Sequence, residues 1–151
     1  MSRSFASALV LVLASGVTSA ADAKEFRGKT RQGRPVSVVV GTDGLVRTAR
    51  IAWRARCRHG RVRTATRFVS PLDAATRNAF QDTGVYRKRQ GGGYRLRFSP
   101  HIRGRRVFDP SRPEAERWRG TFSARVLVTR RGRHVDTCRI AGLRWSARLV
   151  R

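Results

Sequence analysis

Ala49-Arg50-Ile51-Ala52-Trp53-Arg54-Ala55-Arg56-Cys57 alternates: Ala, Ile, Trp, Ala and Cys take the odd positions, and Arg takes three of the even ones. A period of two sends successive side chains to opposite faces, so this run is a strand with one buried face and one wet face. The same grammar runs from Trp118 to Val128, where Trp118, Phe122, Ala124, Val126 and Val128 share a side with Gly120. It returns at Leu143, Trp145, Ala147 and Leu149, set against Arg144, Ser146 and Arg148. Shorter strands are expected at 25–31, 36–40, 61–69, 84–89, 94–98 and 133–139.

Turn chemistry separates these runs: Gln32-Gly33-Arg34-Pro35, Gly41-Thr42-Asp43-Gly44, Arg58-His59-Gly60, Gly91-Gly92-Gly93, Arg130-Arg131-Gly132 and Ala141-Gly142. Short strands joined this way predict an all-β fold, an antiparallel β-sandwich or small barrel of about 8–10 strands. One segment departs from the pattern. Ser70-Pro71-Leu72-Asp73 has the form of a helix start, with Leu72, Ala75 and Ala79 at helical spacing, which predicts a short helix, or else a loop, near 71–79. Residues 109–116, with two Pro and two Glu, read as an exposed loop.

The flanks set the compartment. Met1-Ser2-Arg3, the apolar run Ala6 to Ala14 and the small residues that follow make the three-part plan of a secretory signal over residues 1–23. Cleavage is expected before Ala21 or before Lys24. The apolar run is shorter than the roughly 20 residues that span a bilayer, and residues 24–151 form one domain. In an oxidising compartment Cys57 and Cys138 read as a disulfide, two free thiols being the alternative. Closing so long a loop is worth roughly 4–5 kcal/mol in the chain-entropy model.

Charge is the extreme property. The 151 residues hold 34 Lys plus Arg against 9 Asp plus Glu, a net +25, and all but Lys24, Lys29 and Lys88 of those cations are Arg. A GC-rich coding sequence accounts for Arg over Lys but not for the scarcity of acids. Such a charge repels itself and attracts polyanions. Candidate contacts are Arg50, Arg54, Arg56, Arg144 and Arg148 on wet strand faces. A basic hairpin supplies Arg87, Lys88, Arg89, Arg95 and Arg97, with Tyr86 and Tyr94 as aromatic faces or as cross-strand packing.

Chemistry is sparse. His134-x-Asp136 alone sets a His and an acid on one side of a strand, and no third ligand or nucleophile joins them. No catalytic, metal or cofactor site is expected, and no sequence-specific nucleic-acid reader. At an offset of 92, Phe26-Arg27-Gly28 echoes Trp118-Arg119-Gly120, and Ile51, Trp53 and Ala55 echo Leu143, Trp145 and Ala147. Either both ends are similar three-strand meanders with Trp53 and Trp145 in matching core positions, or strand grammar repeats by chance.

The aromatic-x-Gly-x-Thr start at Phe26–Thr30, Gln32-Gly33-x-Pro35-Val36, Trp53-x-Ala55-x-Cys57, and Cys138 followed by Trp145-Ser146-Ala147 resemble small secreted, Arg-rich all-β proteins of GC-rich, actinobacterial-type bacteria. That group has no established activity, so the resemblance implies turns, core Trp and the Cys pair but no catalytic residue. The expectation is a secreted or envelope-associated, non-enzymatic monomer that binds anionic polymers or the envelope surface. The alternatives are a protein-binding module using loops 71–83 or 109–116, and a hydrolase.

Overall fold

The computed structural model describes residues 23–150, so the expected signal peptide lies outside the described residues except for Ala23. Ten strands follow in chain order: β1 (Lys24–Thr30), β2 (Pro35–Val40), β3 (Val46–Cys57), β4 (Gly60–Val69), β5 (Ala74–Ala75), β6 (Ala79–Thr83), β7 (Tyr86–Gln90), β8 (Tyr94–Val107), β9 (Arg117–Arg130) and β10 (Arg133–Leu149). Among the described residues the one helical element is a 3-10 turn, Pro113–Ala115. No helix there is long and apolar enough to cross a membrane.

Every pairing is antiparallel, in the order β4-β3-β2-β1-β10-β9-β8-β6-β5, with β7 also beside β8. The hydrogen bonds make one sheet, and packing folds it into two layers. Trp53 of β3 lies edge-on to Phe98 of β8 at 6.2 Å and tilted against Phe122 of β9 at 5.4 Å. Phe80 of β6 meets Trp118 and Trp145 from the other side. Phe26, Ile51, Trp53, Phe68, Ile102, Trp118 and Phe122 are fully buried. The alternation therefore works as expected: apolar residues of both layers meet inside and arginines face out.

The hairpin β1–β2 wedges between β3 and β10. At its tip, Gln32 Nε2 donates to the Arg54 carbonyl at 2.8 Å while the Arg54 N–H donates to Gln32 Oε1 at 2.9 Å. This side chain replaces a missing strand partner. Past the tip β3 and β10 meet directly, Arg56 opposite Arg139, and next to that pair Cys57 and Cys138 are joined as a disulfide. β1, β2, β3 and β10 thus neighbour one another in a ring without forming a barrel.

The structure corrects four local expectations. No helix forms near 71–79. The Asp73 carboxylate accepts the N–H and hydroxyl of Thr83, its own N–H donates to Asp82, and Thr76 Oγ1 accepts the N–H groups of Asn78 and Ala79. These local bonds outcompete a helix and fold the segment as the small β5–β6 hairpin.

Ala141-Gly142 is not a turn between two strands. β10 runs straight through it, and the two residues bulge opposite Ser123 alone, whose hydroxyl accepts the Gly142 N–H at 3.0 Å. The strand expected at 94–98 continues to Val107 across Pro100. Pro100 sits where the outer partner of β8 changes from β7 to β6, and its carbonyl accepts the Gly84 N–H, so its missing donor interrupts no ladder.

The echoed segments are not equivalent meanders either. Trp53 and Trp145 are both buried, but Phe26 and Trp53 lie on strands separated by β2, whereas Trp118 and Trp145 lie on the neighbours β9 and β10.

The disulfide holds the layers at the only place where β3 and β10 touch as strands. Replacing both cysteines with Ala is expected to lower unfolding stability by about 2–4 kcal/mol. Urea denaturation of both forms measures it, and a loss under 1 kcal/mol would show that the fork holds without the bridge.

Candidate anion-binding surfaces

β2, β3, β4, β7, β8 and β9 contain no Asp or Glu. The acids among the described residues sit elsewhere. Glu25 and Asp136 are near the starts of β1 and β10, Asp43, Asp109, Glu114 and Glu116 lie in connections, and Asp73 and Asp82 belong to the β5–β6 region. Most are already engaged. Glu116 is buried between Arg106 Nε at 2.6 Å and Lys24 Nζ at 3.3 Å. Glu25 pairs with Arg27 and Asp43 with Arg47. Among the described residues, the arginines in the middle of β3, β4, β7, β8 and β9 form no ion pair.

Register assembles those arginines into groups that alternation alone does not define. On the β3–β4 ribbon, Arg50 stands opposite Arg67, Arg54 opposite Arg63 and Arg56 opposite Arg61, with Ala52 and Ala65 as the one gap. The last pair continues sideways through Arg139 of β10 to Arg125 of β9, a row across four adjacent strands. A second row runs Arg117, Arg148, Arg27 across β9, β10 and β1. Strands lie about 4.8 Å apart, so like charges directly opposite destabilise the sheet.

On the β7–β8 hairpin, Arg87 opposes Arg97 and Arg89 opposes Arg95. Lys88 opposes Leu96, a core residue, and so takes the inward parity. Tyr86 is exposed and its hydroxyl donates to the Arg67 carbonyl across the gap to β4. Tyr94 lies under the Arg130 guanidinium at 5.2 Å.

Arg144 joins a group that the sequence did not single out. Lys29, Arg31, Arg103, Arg105 and Arg119 stand with it around a furrow of about 730 Å³ across β8, β9, β10 and β1, which Gly104 and Gly120 also line. Gly104 faces Gly120 across the ladder. A Cβ on Gly104 would strike the Phe80 ring, and one on Gly120 the Arg103 carbonyl. Of the sequence candidates, Arg54 is half-buried; Arg50, Arg56, Arg87, Lys88, Arg89, Arg95, Arg97, Arg144 and Arg148 are exposed. They fall into four groups rather than one.

The His134-x-Asp136 pairing dissolves. A bulge between the two turns them apart, and His134 Nε2 lies 2.8 Å from Thr137 Oγ1. Asp136 instead reaches the β3–β4 turn, where its carboxylate accepts the N–H groups of His59 at 2.9 Å, Arg58 at 3.1 Å and Thr137 at 2.7 Å. Among the described residues no group of three His, Cys, Asp or Glu could hold a metal.

No protein-family model, no curated protein and no solved structure matches the chain.

The His59 N–H bond, followed by those from Arg58 and Thr137, holds the Asp136 carboxyl below its ordinary range. A carboxyl with a lowered native pKa stabilises the fold above its unfolded value near 3.9, and that contribution is lost as pH falls through the native value. Asp136→Ala is expected to lower stability at neutral pH and to flatten the loss of stability below about pH 4. Urea midpoints between pH 2 and pH 7 test this; an unchanged acid limb would contradict it.

Proposed function

We propose that this chain is an exported, non-enzymatic β-domain that binds anionic polymers, such as phosphate polymers, acidic polysaccharide or extracellular nucleic acid, through its outward arginines. The observation that carries the reading is the in-register stacking of arginine on the β3–β4 and β7–β8 ribbons, which contain no carboxylate, and its continuation from Arg56 through Arg139 to Arg125. Such rows destabilise the free protein and are relieved by an anion lying over them. Arg is suited to the task because its planar fork takes phosphate or carboxylate oxygens two at a time.

The furrow supports the same reading. Six cations line it, and Gly104 and Gly120 form part of its floor because their inward positions are taken up by the Phe80 ring and the Arg103 carbonyl. A linear polyanion laid across β8, β9, β10 and β1 would meet Arg105 beside Arg119 and then Arg144. Nothing in this arrangement reads bases, so affinity is expected to follow charge density rather than sequence.

A protein-binding role for 71–83 or 109–116 draws less support. The first segment is tied down by Asp73 and Asp82, and the second is anchored through buried Glu116. A hydrolase would need groups converging on His134 and Asp136, which face apart.

Two measurements test the proposal. On a heparin or polyphosphate matrix the protein elutes later than a basic protein of ordinary charge. The variant Arg105→Ala/Arg119→Ala/Arg144→Ala elutes earlier, with the slope of log K against log salt reduced by about 2, close to 0.7 per cation removed. Equal elution of the two forms would refute the furrow, and early elution of both would refute polyanion binding. Polyphosphate at 100 times its Kd is also expected to stabilise the wild type by about 2.7 kcal/mol, read as a higher Tm.

A further inference from the structure

We infer a second site, formed by inward-facing side chains, for a single-chain anionic amphiphile: an acyl or alkyl chain ending in a carboxylate or phosphate. β4 pairs only with β3, and β7 only with β8, so the folded sheet has an open seam between these two edges. At the end of the seam near the β3–β4 and β7–β8 turns, a cleft of about 790 Å³ enters the space between the layers. That volume is within the range of small-molecule sites, which favour the mouths of β-structures.

The cleft is apolar within and positive at its lip. Val62, Leu96, Phe98 and Val128 line it, and Phe98 is backed by Trp53 of the core. Arg61, Arg63 and Lys88 border the opening, and among the described residues none of the three forms an ion pair. The one acid at this mouth, Asp136, is occupied by three backbone N–H groups and by His59, whose Nδ1 is 3.6 Å away. An apolar wall, half-buried at Val62 and Val128 and buried at Leu96 and Phe98, under unpaired cations complements a hydrocarbon chain with an anionic head. A polymer of uniform charge would leave the wall wet, and a neutral apolar ligand would leave the cations unused.

The site shares the Arg61 and Arg63 lip with the outward β3–β4 rows, but its apolar wall and the furrow have no residue in common, so dependence on chain length and the Val62 variant separate the two readings. Isothermal titration of the purified chain, in salt high enough to release heparin, uses dodecyl phosphate and dodecanoate below their micellar concentrations. Butyl phosphate and dodecyltrimethylammonium serve as controls. One site is expected, gaining about fourfold in affinity per methylene buried and binding the cationic amphiphile at least tenfold more weakly. A preference between phosphate and carboxylate names the head group. Val62→Trp, which fills the cleft, lowers affinity tenfold or more and leaves heparin elution unchanged; Lys88→Gln weakens both anions severalfold. Should Val62→Trp not fold, quenching of tryptophan emission by 12-bromododecanoate in the wild type reports entry of the chain beside Trp53. Many equal sites, affinity independent of chain length, or full affinity in Val62→Trp would overturn the inference. So would an extended acidic peptide that binds the cleft when dodecyl phosphate does not, since that would make the seam a strand-docking edge.

Discussion

The pairing of Arg56 with Arg139 is the point on which the architecture turns. It is the single strand pairing between β3 and β10, and it sets two arginines directly opposite each other. Below the hairpin tip no other ladder holds these strands together, so the fork would open under its own charge. The disulfide one residue away on each strand closes it, and Asp136 ties the adjacent turn to β10 from outside. Gln32 supports the fork from the other direction, lending its amide to β3 where the hairpin ends. Covalent bond, carboxylate and amide converge where repulsion and missing hydrogen bonds coincide.

Beyond this point the fold trades stability for charge. Trp53 donates its indole N–H to Thr66 at 3.0 Å, whereas the buried indole nitrogens of Trp118 and Trp145 meet no acceptor among the described residues. Like-charge pairs along the sheet leave a domain that relies on its aromatic core and on the cystine. The same imbalance couples stability to ligand: whatever neutralises the rows stabilises the fold in proportion to its affinity. Simple salt acts in the same direction by screening, with less effect per ion because it does not stay in register with the arginines.

The legible part of this molecule was its alternation. Odd and even positions in 49–57, 118–128 and 143–149 assigned the buried Trp and the outward Arg residues, because a period of two is a local property of a strand. The cystine followed from the expected compartment and the count of two. The failures were of two kinds. Pro100, Ala141-Gly142 and Ser70-Pro71 carry signals that usually end a strand or start a helix. Here a change of partner strand, a bulge and the Asp73 bonds absorb them, and these are tertiary facts. The candidate site failed differently. Arg50, Arg54 and Arg56 were found singly, yet Arg61, Arg63 and Arg67 opposite them, and the furrow around Arg105 and Arg119, depend on register and strand order. Neither is written in a single run of residues. Arg61-Val62-Arg63 did show the needed alternation, but which face it would extend was decided only by pairing.

One periodicity therefore serves two opposite ends. On the outside it concentrates cations in rows where, among the described residues, Arg27 alone meets an acid. On the inside it supplies apolar walls that fail to meet at one end, because β4 and β7 have no strand between them. A closed barrel would have covered that gap and lost the cleft, and a sheet with mixed charges would have filled its rows with ion pairs. Arginine along both edges of the seam also explains why an open edge can persist. A second copy of this chain presents the same charge and is repelled, so edge-to-edge pairing between copies is disfavoured. The charge that disfavours self-pairing at these edges is the same charge that the proposed function would use to attract anions.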